Sequence, residues 1–384
     1  MRLLIITQKI DEQDAVLGFM HGWIAEFASN TESVIAICLE KGQVNLSENV
    51  RVFSLGKEKN NFQFSPRQAR SPEQSRGTIF NFQSIINFKI FKKIKYAWRF
   101  VRYIVQNRNE YDAVFAHMNP EYVVLGGLFW KLWGKTVTLW YAHKSVTPSL
   151  RLARFLTDIV FTSTASGFRL PSKKVRVVGQ GIDTSRFKIQ DSRFRNREEI
   201  FKIVTVGRIA PSKDYDTLID AVDLLQKKSN LKISVDIIGP TSVASDEAYL
   251  KQLKEKIAQK DLAGIINFVG PVANASLPEV LASYDLFVNM GQTGSLDKAV
   301  PEAMACELPV LTCNEAFSEV LGPFTASLMY PKSDSEALAG KIREIVELSA
   351  EERKALGEKL RAIVVRDHSL QAFVRKIISA IESY

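Results

Sequence analysis

Cysteine and histidine are both scarce in this 384-residue chain. The three cysteines, Cys38, Cys306 and Cys313, include no CxxC pair, which argues against a thiolate zinc site and a disulfide framework. The four histidines, His21, His117, His143 and His368, are scattered and form no HExxH, so no metal is expected. No apolar run approaches the ~18 residues of a membrane span. The N-terminal MRLLIITQKIDEQD turns to charge after a four-residue apolar run, which argues against a signal peptide. These absences lead to the expectation of a reduced, soluble, cytoplasmic chain.

Apolar residues make up 46% of the chain, with 23 Phe, 10 Tyr and 5 Trp. That excludes disorder as the dominant state, and the length suits two or three ordinary domains. The net charge of +9 is unevenly spread. Residues 1–200 carry 30 Lys and Arg against 17 Asp and Glu, a balance of +13; the rest carry 21 against 25, a balance of −4. Such asymmetry points to two domains with different partners.

Short β-branched runs alternate with helical patterns from end to end, the signature of an α/β chain with doubly wound parallel sheets. Strands are expected at 3–7, 34–39, 50–55, 113–117, 137–141 and 159–163, and again at 202–206, 234–238, 265–269, 286–289, 310–312 and 326–329. Between them lie helical spacings such as Leu218, Ala221, Val222 and Leu225. The polar, turn-rich stretch 179–196 divides a first domain, 1–180, from a second, 181–368. In the terminal segment 369–384, Leu370, Phe373, Ile377 and Ile381 share one face that either closes the second domain or crosses back onto the first. Residues 57–83 read as a polar insertion.

Two segments carry chemistry. After the run Ile203-Val-Thr-Val, Gly207 permits a tight exit, and Arg208 and Lys213 follow within a strand–turn–helix pattern. At the carboxyl edge of a doubly wound sheet such a pair suits a diphosphate, although two solvated surface cations would read the same way. The second segment, Thr293-Gly294-Ser295-Leu296-Asp297-Lys298-Ala299-Val-Pro-Glu302, follows the run 286–289. A small-residue turn into a helix offers the amides of residues 295–299 to a phosphate or a sugar hydroxyl. Glu302, one turn in, can accept two ribose hydroxyls or serve only as a first-turn dipole partner.

The order Gly207-Arg208…Lys213, then Phe268-Val-Gly270-Pro, then Pro-Glu302-Ala-Met-Ala-Cys-Glu-Leu-Pro-Val resembles the donor domain of retaining family-4 glycosyltransferases. Gly181-Ile-Asp183 is similar to that family's hinge, and His117 and Trp140-Tyr-Ala-His143 to its two histidine-bearing strand ends. The resemblance implies the GT-B architecture, two Rossmann-like domains facing a cleft, and a hexosyltransferase acting with retention in polysaccharide or glycoconjugate synthesis. It implies a UDP- or GDP-sugar as donor substrate, a glycan or lipid-linked acceptor, and no cofactor or metal. Arg208 and Lys213 would hold the diphosphate, Glu302 the ribose, and the edge Phe268, Gly270 and Val272 the base. A glutamate usually stands eight residues before the ribose carboxylate and contacts the sugar; here that position is Gly294, so Asp297 and Lys298 are candidates to replace it. On the acceptor side the candidates are Asp14 and Gly18, in a loop with a single glycine, and His117. His143 is a candidate to touch the donor sugar or the leaving oxygen.

Residues 85–105 carry six cations and no acid, with Ile90, Ile94, Ala97, Trp98, Val101 and Val105 on one helical face. Such a helix either packs on the sheet with a solvated basic back or rests on an anionic membrane surface. The second case would make the protein peripheral at the inner face of the membrane. A nucleotide-sugar 2-epimerase, a non-catalytic relative and a basic nucleic-acid binder are the alternatives. No RNP-like strand, helix-turn-helix or zinc knuckle appears, so no nucleic-acid partner is expected.

Overall fold

The computed structural model describes residues 1–14, 16–58, 82–187, 200–229, 231–292 and 294–384, with backbone alone at 82–90. Most of the expected insertion at 57–83, the later part of the linker and Thr293 lie outside the described residues.

The first sheet is built from β1 (Arg2–Ile10), α1 (Phe19–Ser29), β2 (Ser33–Lys41), β3 (Val50–Ser54), α2 (Phe82–Gln106), β4 (Ala113–His117), α3 (Pro120–Leu132), β5 (Thr136–Trp140), α4 (Pro148–Leu156), β6 (Ile159–Thr162) and β7 (Val175–Val177). Its seven strands are parallel in the order β3-β2-β1-β4-β5-β6-β7. Alternate residues of β1 serve opposite faces. Leu3 and Ile5 join Trp23, Phe27 and Phe115 beneath α1, while Leu4 and Ile6 join Phe100, Trp130 and Leu150 beneath α2, α3 and α4. Both faces are covered, which is why the strands read as continuous apolar runs.

The second domain contains β8 (Phe201–Val206), α5 (Tyr215–Lys228), β9 (Ile233–Ile238), α6 (Ala244–Gln259), β10 (Ile266–Gly270), α7 (Leu277–Leu281), β11 (Leu286–Asn289), α8 (Ala299–Ala305) and β12 (Val310–Thr312). They form a parallel five-stranded sheet in the order β10-β9-β8-β11-β12. The order reverses between β8 and β11, so the loops after these two strands flank the crevice where such sheets take ligands. The helices α9 (Ser318–Leu321), α10 (Thr325–Leu328), α11 (Ser335–Glu347) and α12 (Ala350–Ile363) complete the domain.

The last helix, α13 (Leu370–Glu382), returns to the first domain. Its buried stripe of Leu370, Phe373, Val374, Ile377 and Ile381 joins the core under α1, and the Phe373 ring lies 4.2 Å from that of Trp23. Burying a phenylalanine contributes roughly 1.5–3 kcal/mol. The chain thus crosses between domains twice, and the crossings are bonded to each other: Ile182 N donates to His368 O at 2.8 Å and Leu370 N to Ile182 O at 2.7 Å.

Two expectations change, and one strand was not expected. Residues 326–329 are not a strand: Thr325–Leu328 is one helical turn, and Met329 alone bridges Thr312. The short edge strand β7, with polar Arg176 between two valines, carries too little pattern to be read. On α2 the stripe facing the sheet holds Phe100 and Ile104, whereas Ile94 and Trp98 are exposed. That helix is apolar on two sides, and part of the face singled out by periodicity is the one that looks outward.

Candidate active site

Gly207, at the exit of β8, brings the two expected cations to one strand end. A Cβ on Gly207 would stand 3.3 Å from Lys213 Nζ, and Gly239, at the exit of β9, approaches so closely that its own Cβ would meet Gly207 O at 1.9 Å. Tyr215 fixes the turn by donating its hydroxyl to Gly207 O at 3.0 Å. Lys213, in a short helical turn (Pro211–Lys213), is ion-paired to Asp297. Arg208 is exposed and lies 3.7 Å through Nε from the buried Asp246 carboxylate.

Asp297 belongs to the loop after β11, which a polar set missed in the sequence holds in place. Asn289 Nδ2 donates to Asp297 Oδ2 at 3.0 Å, and Asn289 Oδ1 accepts from Thr312 Oγ1 at 3.0 Å. Gln292 Nε2 donates to Asp214 Oδ2 at 2.5 Å and to Ser333 Oγ at 2.7 Å. Asn314 Nδ2 donates to Ser295 O at 2.7 Å. These bonds tie the loop to the Lys213 turn and to the segment after β12. Among the described residues no acceptor is found for the amides of Ser295, Leu296, Asp297 and Lys298. Asp297 therefore engages the cation rather than standing free as a sugar contact.

Gly294 adopts φ +63°, and a Cβ there would stand 2.5 Å from Glu315 Oε1. The Glu315 carboxylate thus occupies the space in front of the position where a glutamate is usual in the family the sequence resembles. Lys332 pairs with Glu315, Arg169 Nη2 of the first domain lies 3.8 Å away, and this company holds the Glu315 carboxyl below its ordinary range. The edge after β10 is open: Gly270 takes φ +85° with no atom near its Cβ position, and Phe268 and Val272 are half-buried against the core.

Residues 186–363 match the family described as glycosyl transferases group 1. This part of the chain is a group 1 glycosyl transferase domain. The curated relatives are distant. Mannosylfructose-phosphate synthase of Agrobacterium fabrum is 26% identical over 38% of this chain and 33% of its own length. D-inositol 3-phosphate glycosyltransferase of Jonesia denitrificans is 28% identical over 42% and 39%. The match thus spans well under two thirds of either relative. Across the whole chain the fold is GT-B: the structure of Anabaena HepE in complex with UDP and glucose superposes with a TM-score of 0.73 and 16% identity, covering 100% of both chains.

Lys298 is one of the residues through which the second domain meets the first, and neither it nor Glu302 on the same helix start lies open to the cleft. Glu302 is buried; Lys298 is only partly exposed, with its ammonium nitrogen sealed and no hydrogen-bond partner among the described residues. That nitrogen sits 3.5 Å from the Phe19 ring centroid and 4.8 Å from that of Trp23. Burial pushes the Lys298 ammonium down and the Glu302 carboxyl up, each opposed by the other's charge. Phe19, Trp23, Arg186, Asn274, Lys298 and Glu302 line one narrow crevice. The ribose role implied for Glu302 therefore requires access that this arrangement covers, because aromatic rings of the first domain close over it.

The acceptor-side candidates are structural here. Asp14 caps its own turn, accepting from Val16 N at 2.9 Å and Leu17 N at 2.7 Å, and pairs with Lys9 Nζ at 2.7 Å. Gly18 is buried at the domain junction, where a Cβ would be 3.1 Å from Asn274 Cβ. His117 is buried, stacked on Trp140 at 5.2 Å, and bonded through Nδ1 to Thr7 Oγ1 at 3.3 Å. Burial, aided by the Lys298 charge, pushes it down to about 3. His143 is different: it is half-buried, lowered by burial and then by Lys144, and its neighbour Lys144 N donates across the cleft to Ser295 Oγ at 3.3 Å.

Proposed function

We propose that this protein is a hexosyltransferase that takes a sugar from a nucleoside diphosphate, UDP or GDP, and passes it with retention to a glycan or lipid-linked acceptor. The observation that carries this reading is the switch-point crevice: Lys213 stands beside Gly207 and pairs with Asp297, Arg208 follows the same strand end, and the loop 295–298 has four amides with no acceptor among the described residues. As the anomeric C–O bond breaks, the departing diphosphate oxygen gains charge, and fixed donors there favour the transition state over the ground state. The acceptor hydroxyl attacks on the face the diphosphate leaves, and its proton passes to the departing oxygen. Two cations and the amides supply this compensation without a metal. Anabaena HepE holds UDP and glucose in this same fold, which supports the nucleotide part of the reading.

The sugar-facing acid missing at Gly294 is assigned to Glu315, whose carboxylate fills that space from another loop. Synthesis of polysaccharide or glycoconjugate in the cytoplasm fits a chain in which no described helix is long and apolar enough to cross a membrane. The test is thermal stabilisation by UDP, GDP and ADP against a duplex oligonucleotide, followed by transfer or hydrolysis with matched nucleotide sugars. One nucleoside diphosphate should raise the melting temperature. A salt-sensitive shift with DNA alone would overturn the proposal.

A further inference from the structure

The helices α2, α3 and α4 cover one face of the first sheet, and each buries one stripe: Phe100 and Ile104, Val123 and Trp130, Leu150 and Ala153. Each also carries a second apolar stripe that faces outward. Phe91, Ile94 and Trp98 on α2, Leu128 and Leu132 on α3, and Phe155 on α4 are all exposed, Leu132 by 83% and Phe155 by 68%. The helices are neighbours, α2 against α3 and α3 against α4, so these side chains belong to one surface. Large apolar side chains gathered on one outer side of a domain mark an interaction surface.

Charge selects the occupant. Residues 91–106, 120–132 and 148–156 carry eight lysines and arginines against one acid, Glu121. Guanidinium groups lie over the exposed rings, Arg102 5.5 Å from the Trp98 centroid and Arg154 5.0 Å from that of Phe155. A second copy meeting this face through its own would set cation against cation. Nucleic acid would use the cations but leave the aliphatic side chains without partners. An anionic lipid surface takes both, since headgroups accept the cations and acyl chains the apolar side chains.

We propose that the outer face of α2, α3 and α4 docks the protein on an anionic membrane. The surface lies on the sheet's flank rather than in the cleft, so it does not depend on the donor chemistry. It gives a lipid-linked acceptor a physical route to the first domain.

The experiment is co-sedimentation of the full chain with vesicles of phosphatidylglycerol in phosphatidylcholine, and with pure phosphatidylcholine. Binding is expected to the first and not the second. It should weaken with salt, by on the order of fivefold for each cation removed in Lys93→Ala and Arg102→Ala, and by at least ~10-fold in the double variant Leu132→Ser, Phe155→Ser. Trp98→Phe should remove the quenching of protein fluorescence by brominated lipid. These positions are exposed, and an unchanged melting temperature confirms that each variant folds. Equal affinity for both vesicle types, anionic binding that survives all the variants, or a dimer abolished by the double variant without vesicle binding would each overturn the proposal.

Discussion

The Lys298 ammonium of the second domain lies 3.5 Å from the centroid of the Phe19 ring of the first. A cation on an aromatic face is favourable, more so once desolvated. Its charge also opposes the upward push that burial gives the Glu302 carboxyl on the same helix start. One side chain therefore links the two domains and sits beside the residue on which a ribose contact would depend.

Lys298→Met should leave Glu302 buried without its cation. A carboxyl whose folded value lies above its unfolded value stabilises the fold at low pH and loses that contribution as pH rises. The variant should therefore lose more stability relative to the parent at pH 8 than at pH 6, by at most about 2.7 kcal/mol for one proton over two pH units. Adding Glu302→Gln should restore most of this. Urea midpoints for both variants at the two pH values give the comparison; equal losses in the single and double variants would contradict the pairing.

Gly239→Ala should be costly because the new methyl has no room against Gly207 O. We expect about 2–4 kcal/mol of lost stability, together with weaker nucleotide binding as the strand end carrying Arg208 moves. A denaturant melt within ~0.5 kcal/mol of the parent would contradict the close approach.

Two buried histidines set an acid limit. Burial lowers His117 to about 3 and His368 to about 4, against an ordinary value of 6.5. For each, the unfolded chain binds the proton first, so stability is intact above pH ~6.5 and falls as pH drops below it. At pH 5 each should have removed roughly 2 kcal/mol, about 4 kcal/mol for the two together. The melting temperature of the double variant His117→Asn, His368→Asn should depend less on pH between 7.5 and 5 than that of the parent, which a pair of thermal melts will show.

Glu315→Gln separates sugar recognition from nucleotide recognition. The carboxylate stands in front of Gly294 and pairs with Lys332 rather than with Arg208 or Lys213, so affinity for the free nucleoside diphosphate should hold. The extra affinity conferred by the attached sugar should fall by on the order of 10-fold, the worth of one charged hydrogen bond. Calorimetric titration with the nucleotide and its sugar conjugate reports both; parallel losses would remove Glu315 from the sugar pocket.

The fold was largely legible. Runs such as 113–117 and 286–289 are apolar on both faces and became strands at those bounds, because parallel strands buried on two sides admit little else. The stripe Leu370, Phe373, Ile377 and Ile381 showed that α13 packs, but not on which domain, since periodicity identifies a face and not its partner. At the site, Arg208, Lys213 and the loop 294–298 were visible because glycine and small residues mark a strand exit. The surroundings of His117 and Lys298 were not, because a titratable side chain in an aromatic cluster reads the same as one in a pocket, and nor was the turn cap at Asp14, which reads the same as a free loop carboxylate. Glu315 was invisible for another reason: its nearness to Gly294 is a contact between two loops separated by a helix and a strand.

The most direct test is titration of the parent protein, Arg208→Ala and Lys213→Ala with UDP and with GDP. The parent should bind one of them, each variant should lose roughly 10–100-fold in affinity, and Arg208→Ala should turn over ~10²–10³ more slowly with the matching sugar donor. Undiminished binding and turnover in both variants would contradict the assignment of the departing diphosphate to this crevice.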